Sequence, residues 1–247
     1  MSTAKAPKKQ QKNVPAPTNP RLLITHGEKG GVGKTTVARL VAEFLSNRET
    51  PFRAFDAEGP TGQLLRFHPS HTVSVEVDKA VSIAPVLDFL MDGKPNRLAL
   101  VDLGARSGED LKNWLYKGGA LEEAEASQLD ITIIYVLGGA VDSVGHLKEC
   151  FAALGSDVKY VIVKNLGVAA RFDVYESSNI RKDLLAAGAT EITIPALDGA
   201  VYQSVDKTSL SFTAFCDGEA GFTERRYCRT WLRECLAALE EASSSLV

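Results

Sequence analysis

Nowhere does the chain approach the roughly 18 consecutive apolar residues of a membrane span, and its first residues lack the apolar core of a secretory signal. The cytoplasm is therefore the expected compartment, with no integral membrane association. Cysteine is scarce: Cys150, Cys216, Cys228 and Cys235 fall at spacings that match no zinc or iron-sulfur pattern. A reducing cytosol would hold them as thiols, so they read as packing residues. The four histidines are scattered as well; His68 and His71 come close in "FHPSH", but no nearby carboxylate or cysteine completes a metal-ligand set. Acids are missing from the first 20 residues. "MSTAKAPKKQQKNVPAPTNP" carries Lys5, Lys8, Lys9 and Lys12 among proline and polar residues, the composition of a disordered basic tail.

What the chain does contain is the balance of an ordinary globular protein: 247 residues, 45% hydrophobic and 24% charged, enough to bury a full core. No linker divides it, so a single domain is expected over residues 21–247. That body is acidic, 24 basic residues against 31 acidic ones for a net charge of −7. It makes a poor general binder of nucleic acid unless positive charge is gathered locally. From Arg21 onward, short β-branched or apolar runs alternate with longer stretches of helical spacing. This is the signature of an α/β fold, a doubly wound, mostly parallel sheet with helices on both faces. The runs "RLLITH", "FRAFD", "VSVEV", "NRLALVD", "ITIIYVL", "KYVIVKN" and "EITIPAL" predict strands. Helical spacing predicts helices over 34–46, 83–91, 142–154, 178–187 and about 224–242, the last with Trp231, Cys235 and Leu239 on the face that should pack on the sheet. Residues 199–221 show no readable period and could be helix, loop or both.

A strand ending near His26, a glycine-rich turn and a helix opening at Lys34 make up "ITHGEKGGVGKTTVARLVAEFL". In that order, backbone N–H groups and the helix dipole can hold phosphates. Gly30, Gly31 and Gly33, with Val32 among them, let the backbone approach closely. Lys34 would reach the β- and γ-phosphates of a nucleotide, Thr35 would offer its hydroxyl to Mg²⁺, and Thr36 would contact the α-phosphate. The generic G-x-x-x-x-G-K-[ST] pattern nevertheless fails at its first position, Glu28. A carboxylate there would be repelled by a triphosphate, so it should point away from the cradle.

"KGGVGKTT" resembles instead the deviant Walker A loop of the ParA/MinD superfamily, P-loop ATPases of the SIMIBI-like class. The resemblance implies that the additional lysine, Lys29, reaches across an ATP-dependent homodimer to the partner's bound ATP. "FDAEGPTGQLL" resembles the first switch of ParA-like proteins, with Asp56 on the metal side and Glu58 at the position whose acid lies near the attacking water. The family usually has aspartate there; the longer glutamate predicts slow or altered hydrolysis. "LALVDLGARSG" resembles the second switch, in which Asp102, closing a buried strand, would hold the water shell of Mg²⁺. "YVIVKNLG" places Asn165 where the superfamily reads the adenine, and "ITIPALDG" places Pro195 in the loop that covers the base. Each stretch also has a plainer reading, a solvated acidic turn for Asp56 and Glu58 and a turn or cap for Asp102 and Asn165.

The activity implied is hydrolysis of ATP to ADP and phosphate, slow and stimulated by a partner protein, with ATP and Mg²⁺ as ligands. Lys29, Lys34 and Glu58 would be the catalytic residues. Relatives use the cycle to position or segregate plasmid DNA or another cargo, or to assist conjugative transfer. Two other readings stay open: a nucleotide-binding module with little hydrolysis, and an ATP-dependent synthetase on the same fold, a class that as a rule lacks the signature lysine. DNA is a further candidate ligand. "ERRYCRTWLRE" puts Arg225, Arg229 and Arg233 on one helical stripe, which reads equally as a solvated face laced with Glu224 and Glu234.

Overall fold

The computed structural model describes residues 19–27, 30–75, 84–94, 96–104, 111–117 and 120–247. Glu28, Lys29 and nearly all of the expected basic tail lie outside the described residues. Seven strands, β1 (Arg21–His26), β2 (Arg53–Asp56), β3 (Thr72–Ser74), β4 (Leu98–Asp102), β5 (Asp130–Leu137), β6 (Lys159–Asn165) and β7 (Thr190–Ile194), form one sheet in the order β3-β2-β4-β1-β5-β6-β7. Every pairing is parallel, so the mostly parallel sheet expected is wholly parallel among the described residues. β1 runs down the middle. The chain first builds outward on one side through β2 and β3 and then, after β4, on the other through β5, β6 and β7.

The strands read as nearly continuous apolar runs because both faces of the sheet are covered. Alternate side chains divide between two cores: Leu23 belongs to one buried cluster, and its neighbours Leu22 and Ile24 belong to the other. The helices are α1 (Lys34–Asn47), α2 (Gln63–Phe67), α3 (Ala84–Leu90), α4 (Ala120–Ser127), α5 (Val141–Leu154), α6 (Asp173–Glu176), α7 (Asn179–Ala186), α8 (Gly199–Thr208), α9 (Phe212–Asp217), α10 (Phe222–Glu241) and the closing turn α11 (Ser243–Leu246). On the first face α1 packs with α9 and α10; on the second lie α3, α5 and α7. Among the described residues, no helix is long and apolar enough to cross a membrane.

The differences from expectation have local causes. "EITIPAL" stops as a strand at Ile194 because Pro195 has no N–H to continue the ladder. "VSVEV" is strand only as far as Ser74; Glu76 and Val77 lie outside the described residues. The unreadable stretch 199–221 resolves into two helices, each started by a side-chain cap. Asp198 accepts from the N–H groups of Ala200 and Val201, and Ser211 accepts from that of Ala214. As expected, Trp231, Cys235 and Leu239 of α10 are buried, and so are the four cysteine side chains.

Candidate functional site

The strands point their C-terminal ends at one edge of the molecule, and the sequence-predicted residues collect there, as open parallel sheets arrange their ligand sites. Register places Asp56 beside Asp102 across β2 and β4, and Thr25 beside Asp102 across β1 and β4. From the end of β1 the chain turns through Gly30 to Gly33 into α1. Gly33 caps that helix with φ 91°, a left-handed conformation natural to glycine, and contributes no side-chain cap. A helix that begins at a glycine in this way presents its N-terminus as an anion-binding end.

Asp102 is the electrostatic centre of this edge. It is 1% exposed, and its Oδ1 accepts a hydrogen bond from Thr25 Oγ1 at 2.7 Å. Burial raises its pKa to about 7; hydrogen bonds from Thr25 and Thr35 oppose the rise, and the charges of Asp56 and Glu58 add to it. Its Oδ2 is buried with no hydrogen-bond partner among the described residues. An orphan carboxylate oxygen beside two further acids and a threonine hydroxyl suits a divalent cation whose water shell supplies the missing donors. Among the described residues no group of three or more His, Cys, Asp or Glu could cage a metal by itself.

Asp56 organises the loop that follows it. Oδ1 accepts from the N–H of Glu58 at 3.0 Å and Oδ2 from the N–H of Leu65, in the first turn of α2, at 2.9 Å. A side chain at Gly62 would collide with this carboxylate, so the turn closes only with glycine there. The carboxylate therefore fixes the backbone that carries Glu58. Glu58 itself is exposed and lines the same cavity as the glycine-rich loop.

That cavity, about 560 Å³, extends from Gly31, Lys34 and Glu58 past Thr36 and Asn165 to Pro195, Tyr202 and Trp231. Lys34 is buried at its near end. His26 sits close by, its pKa pushed down to about 4 by burial and then by the positive charge of Lys34 and by His146. Asn165, at the end of β6, donates from Nδ2 to the carbonyl of Val32 at 3.0 Å and accepts at Oδ1 from the N–H of Gly167 at 3.0 Å. It ties the glycine-rich loop to the far half of the sheet, and its amide keeps a second N–H and a second lone pair for a ligand.

Sequence reasoning did not find Tyr202, Gln203 or Trp231, which complete the far wall. Trp231 donates from Nε1 to the carbonyl of Pro195 at 2.7 Å, fixing the loop after β7. The one available signal was Asp198, a helix-capping residue placed three positions after Pro195. The basic stripe is largely engaged elsewhere. Arg225 donates to the carbonyl of Gly218 and Arg229 to that of Cys216 and to Asp217, so two of its three arginines fasten the turn between α9 and α10.

No family model matches the sequence. Protein MobD of Acidithiobacillus ferrooxidans is 22% identical over 223 residues, covering 89% of this chain and 96% of its own. Among solved structures, the septum site-determining protein MinD of Pyrococcus horikoshii, complexed with Mg-ADP, superposes with a TM-score of 0.56 over 92% of this chain and 98% of that one, at 11% identity. The MinD cell division protein of Aquifex aeolicus gives 0.51 over 87% and 97%, at 12% identity. The fold is that of the MinD-like P-loop ATPases.

Proposed function

We propose that this chain is a switch ATPase of the ParA/MinD type, which dimerises on ATP and spends hydrolysis on changing partners while it positions or segregates DNA or another cargo, or assists plasmid transfer. One observation carries the reading: a single cavity joins the open N-terminus of α1 with Lys34 and Thr35, the carboxylate of Glu58 and the amide of Asn165. It has room for a nucleotide, with anion-binding groups and the Asn165 amide side by side along its wall. The Mg-ADP of the P. horikoshii neighbour supports the choice of ligand.

In this reading Gly30, Gly31, Val32 and Gly33 cradle the phosphates with backbone N–H groups, and Lys34 neutralises the β- and γ-phosphates. Thr35 and Asp102, with Asp56 behind them, would hold Mg²⁺, which when bound offsets phosphate charge. Glu58 orients the attacking water on the switch that Asp56 holds, and Lys29 adds a cation from the partner protomer. Asn165 reads the adenine edge. Residues 21–247 form the ATPase domain, in the cytoplasm, and a stimulating protein accelerates a slow intrinsic turnover. A nucleotide-binding module with little hydrolysis is the second reading, favoured by the methylene that Glu58 adds to the acid usual at its position.

The experiment is titration calorimetry with ATP and Mg²⁺ on wild type and Lys34→Ala, followed by phosphate release with and without DNA. The substitution is expected to weaken ATP binding by about 100-fold or more, since it removes a charge-assisted hydrogen bond to the phosphates. Equal affinity in the two proteins would remove the loop, and the reading with it. Binding without phosphate release would select the second reading.

A further inference from the structure

The hydroxyls of Thr36 and Tyr202, on α1 and α8, lie 3.0 Å apart in the wall of the cavity. We propose that this pair is a phosphate-binding element and that Tyr202 is a nucleotide-contacting residue, acting with Thr36 on the α-phosphate of a bound nucleoside di- or triphosphate. The inference rests on the nucleotide reading above. Two hydroxyls joined by one hydrogen bond carry two protons and spend one of them on each other. The second is left to donate to an acceptor in the cavity.

Its surroundings select an anionic acceptor. Thr36 stands two residues after Lys34 in the first turn of α1, where the helix has no side-chain cap, so a phosphate oxygen at the pair also meets the positive end of the helix. One turn further along α1, Arg39 is 2% exposed, its guanidinium carbon 3.4 Å from the ring centroid of Phe67 and 4.2 Å from that of Phe212. Nε and Nη2 of Arg39 have no hydrogen-bond partner among the described residues. A positive charge held in a poorly polarisable surrounding acts over a longer range than one in water; the carboxylates of Glu43 and Asp206 offset part of it, and the remainder adds to the helix end in biasing the neighbouring hydroxyls toward a negative ligand. Packing alone does not account for the tyrosine, because phenylalanine would join α8 to α1 without placing an oxygen in the cavity wall.

The test compares binding of ATP, ADP and inorganic pyrophosphate, each with Mg²⁺, to wild type and Tyr202→Phe by titration calorimetry. Tyr202→Phe should weaken ATP and ADP by the same factor, about tenfold for one charge-assisted hydrogen bond, and leave inorganic pyrophosphate within twofold of wild type, because its two phosphates fill the β and γ seats and leave the α seat empty. Thr36→Val should weaken ATP, and adding Tyr202→Phe to it should cost much less than tenfold more. Unchanged ATP affinity in Tyr202→Phe overturns the proposal. So does an equal loss for pyrophosphate and ATP, which would mean that the hydroxyl only props the loop. Wild type that binds neither ATP nor pyrophosphate would sink the nucleotide reading and this inference together; wild type that binds ATP, with a variant that binds it equally, sinks this inference alone.

Discussion

Asn165 closes on Gly33 so tightly that a β-carbon on the glycine would overlap the amide nitrogen Nδ2. The two residues are 132 positions apart, and the same amide bonds the carbonyl of Val32. The glycine-rich loop is thus held from outside, by the end of β6, as well as by its own backbone geometry.

Gly33→Ala should therefore disrupt the site more than the fold. The new methyl meets both a left-handed backbone, φ 91°, and the Asn165 amide, so the loop or β6 must shift. ATP affinity should fall by about 100-fold, with a stability loss of about 1–3 kcal/mol. Calorimetry and urea denaturation read the two effects separately; wild-type affinity would show that the loop does not need this geometry.

Glu58→Gln removes the carboxylate from the cavity wall but keeps the N–H that binds Asp56 Oδ1. ATP affinity and dimerisation should persist while single-turnover phosphate release drops by roughly 100-fold or more, the usual scale for a positioning or acid-base group. Glu58→Asp should stay within about tenfold of wild type. A glutamine variant as fast as wild type would assign hydrolysis to some other group.

Lys29→Ala is expected to bind ATP as a monomer and fail to form the ATP-dependent dimer, because two facing triphosphates would lose a bridging cation. Size exclusion with ATP and Mg²⁺ is the assay. Dimers as abundant as in wild type would remove Lys29 from the interface.

Acid stability should depend on His68. Burial pushes its pKa from 6.5 to about 4, with the positive charges of Arg39 and His71 assisting. It is neutral in the folded protein and takes up a proton on unfolding below pH 6.5. Its contribution is present above the unfolded value and is lost as pH falls toward 4, with a slope of about 1.4 kcal/mol per pH unit. His26, also near 4, acts in the same direction. Asp102, raised to about 7, acts in the opposite one, favouring the fold as pH drops from 7 toward 3.8. Urea midpoints at pH 7.5 and 5.0 isolate the His68 term by difference: His68→Gln should lose less stability on acidification than wild type, and an equal loss would refute it.

Local signals carried the architecture. A continuous apolar run announces a strand covered on both faces, and helical spacing announced α1, α5 and α10 to within two residues. Contiguity did the same for the glycine-rich loop, since strand, turn and helix follow one another in about fifteen residues. Arg39 and Glu43 show where that logic stops. On an amphipathic reading of α1 they belong to a solvated face, yet both are buried, Arg39 between two rings and Glu43 accepting from the N–H and hydroxyl of Thr213. Their partners come from α2 and α9, and no spacing within α1 announces them.

By itself, then, the sequence determined the class of fold, the order of its strands and of five of its helices along the chain, and the loop and carboxylates that meet at the C-terminal edge of the sheet, because each of these is written in residues close together. Tertiary structure alone decided the rest. It joined Asn165 to Val32 across 133 positions and Thr36 to Tyr202 across 166, left Asp102 Oδ2 without a donor among the described residues, and turned an unreadable stretch into the helix that walls the cavity. Hydrogen bonding and burial depend on distance in space, and the pairs that close this site are brought together only when a seven-stranded sheet lays distant segments side by side.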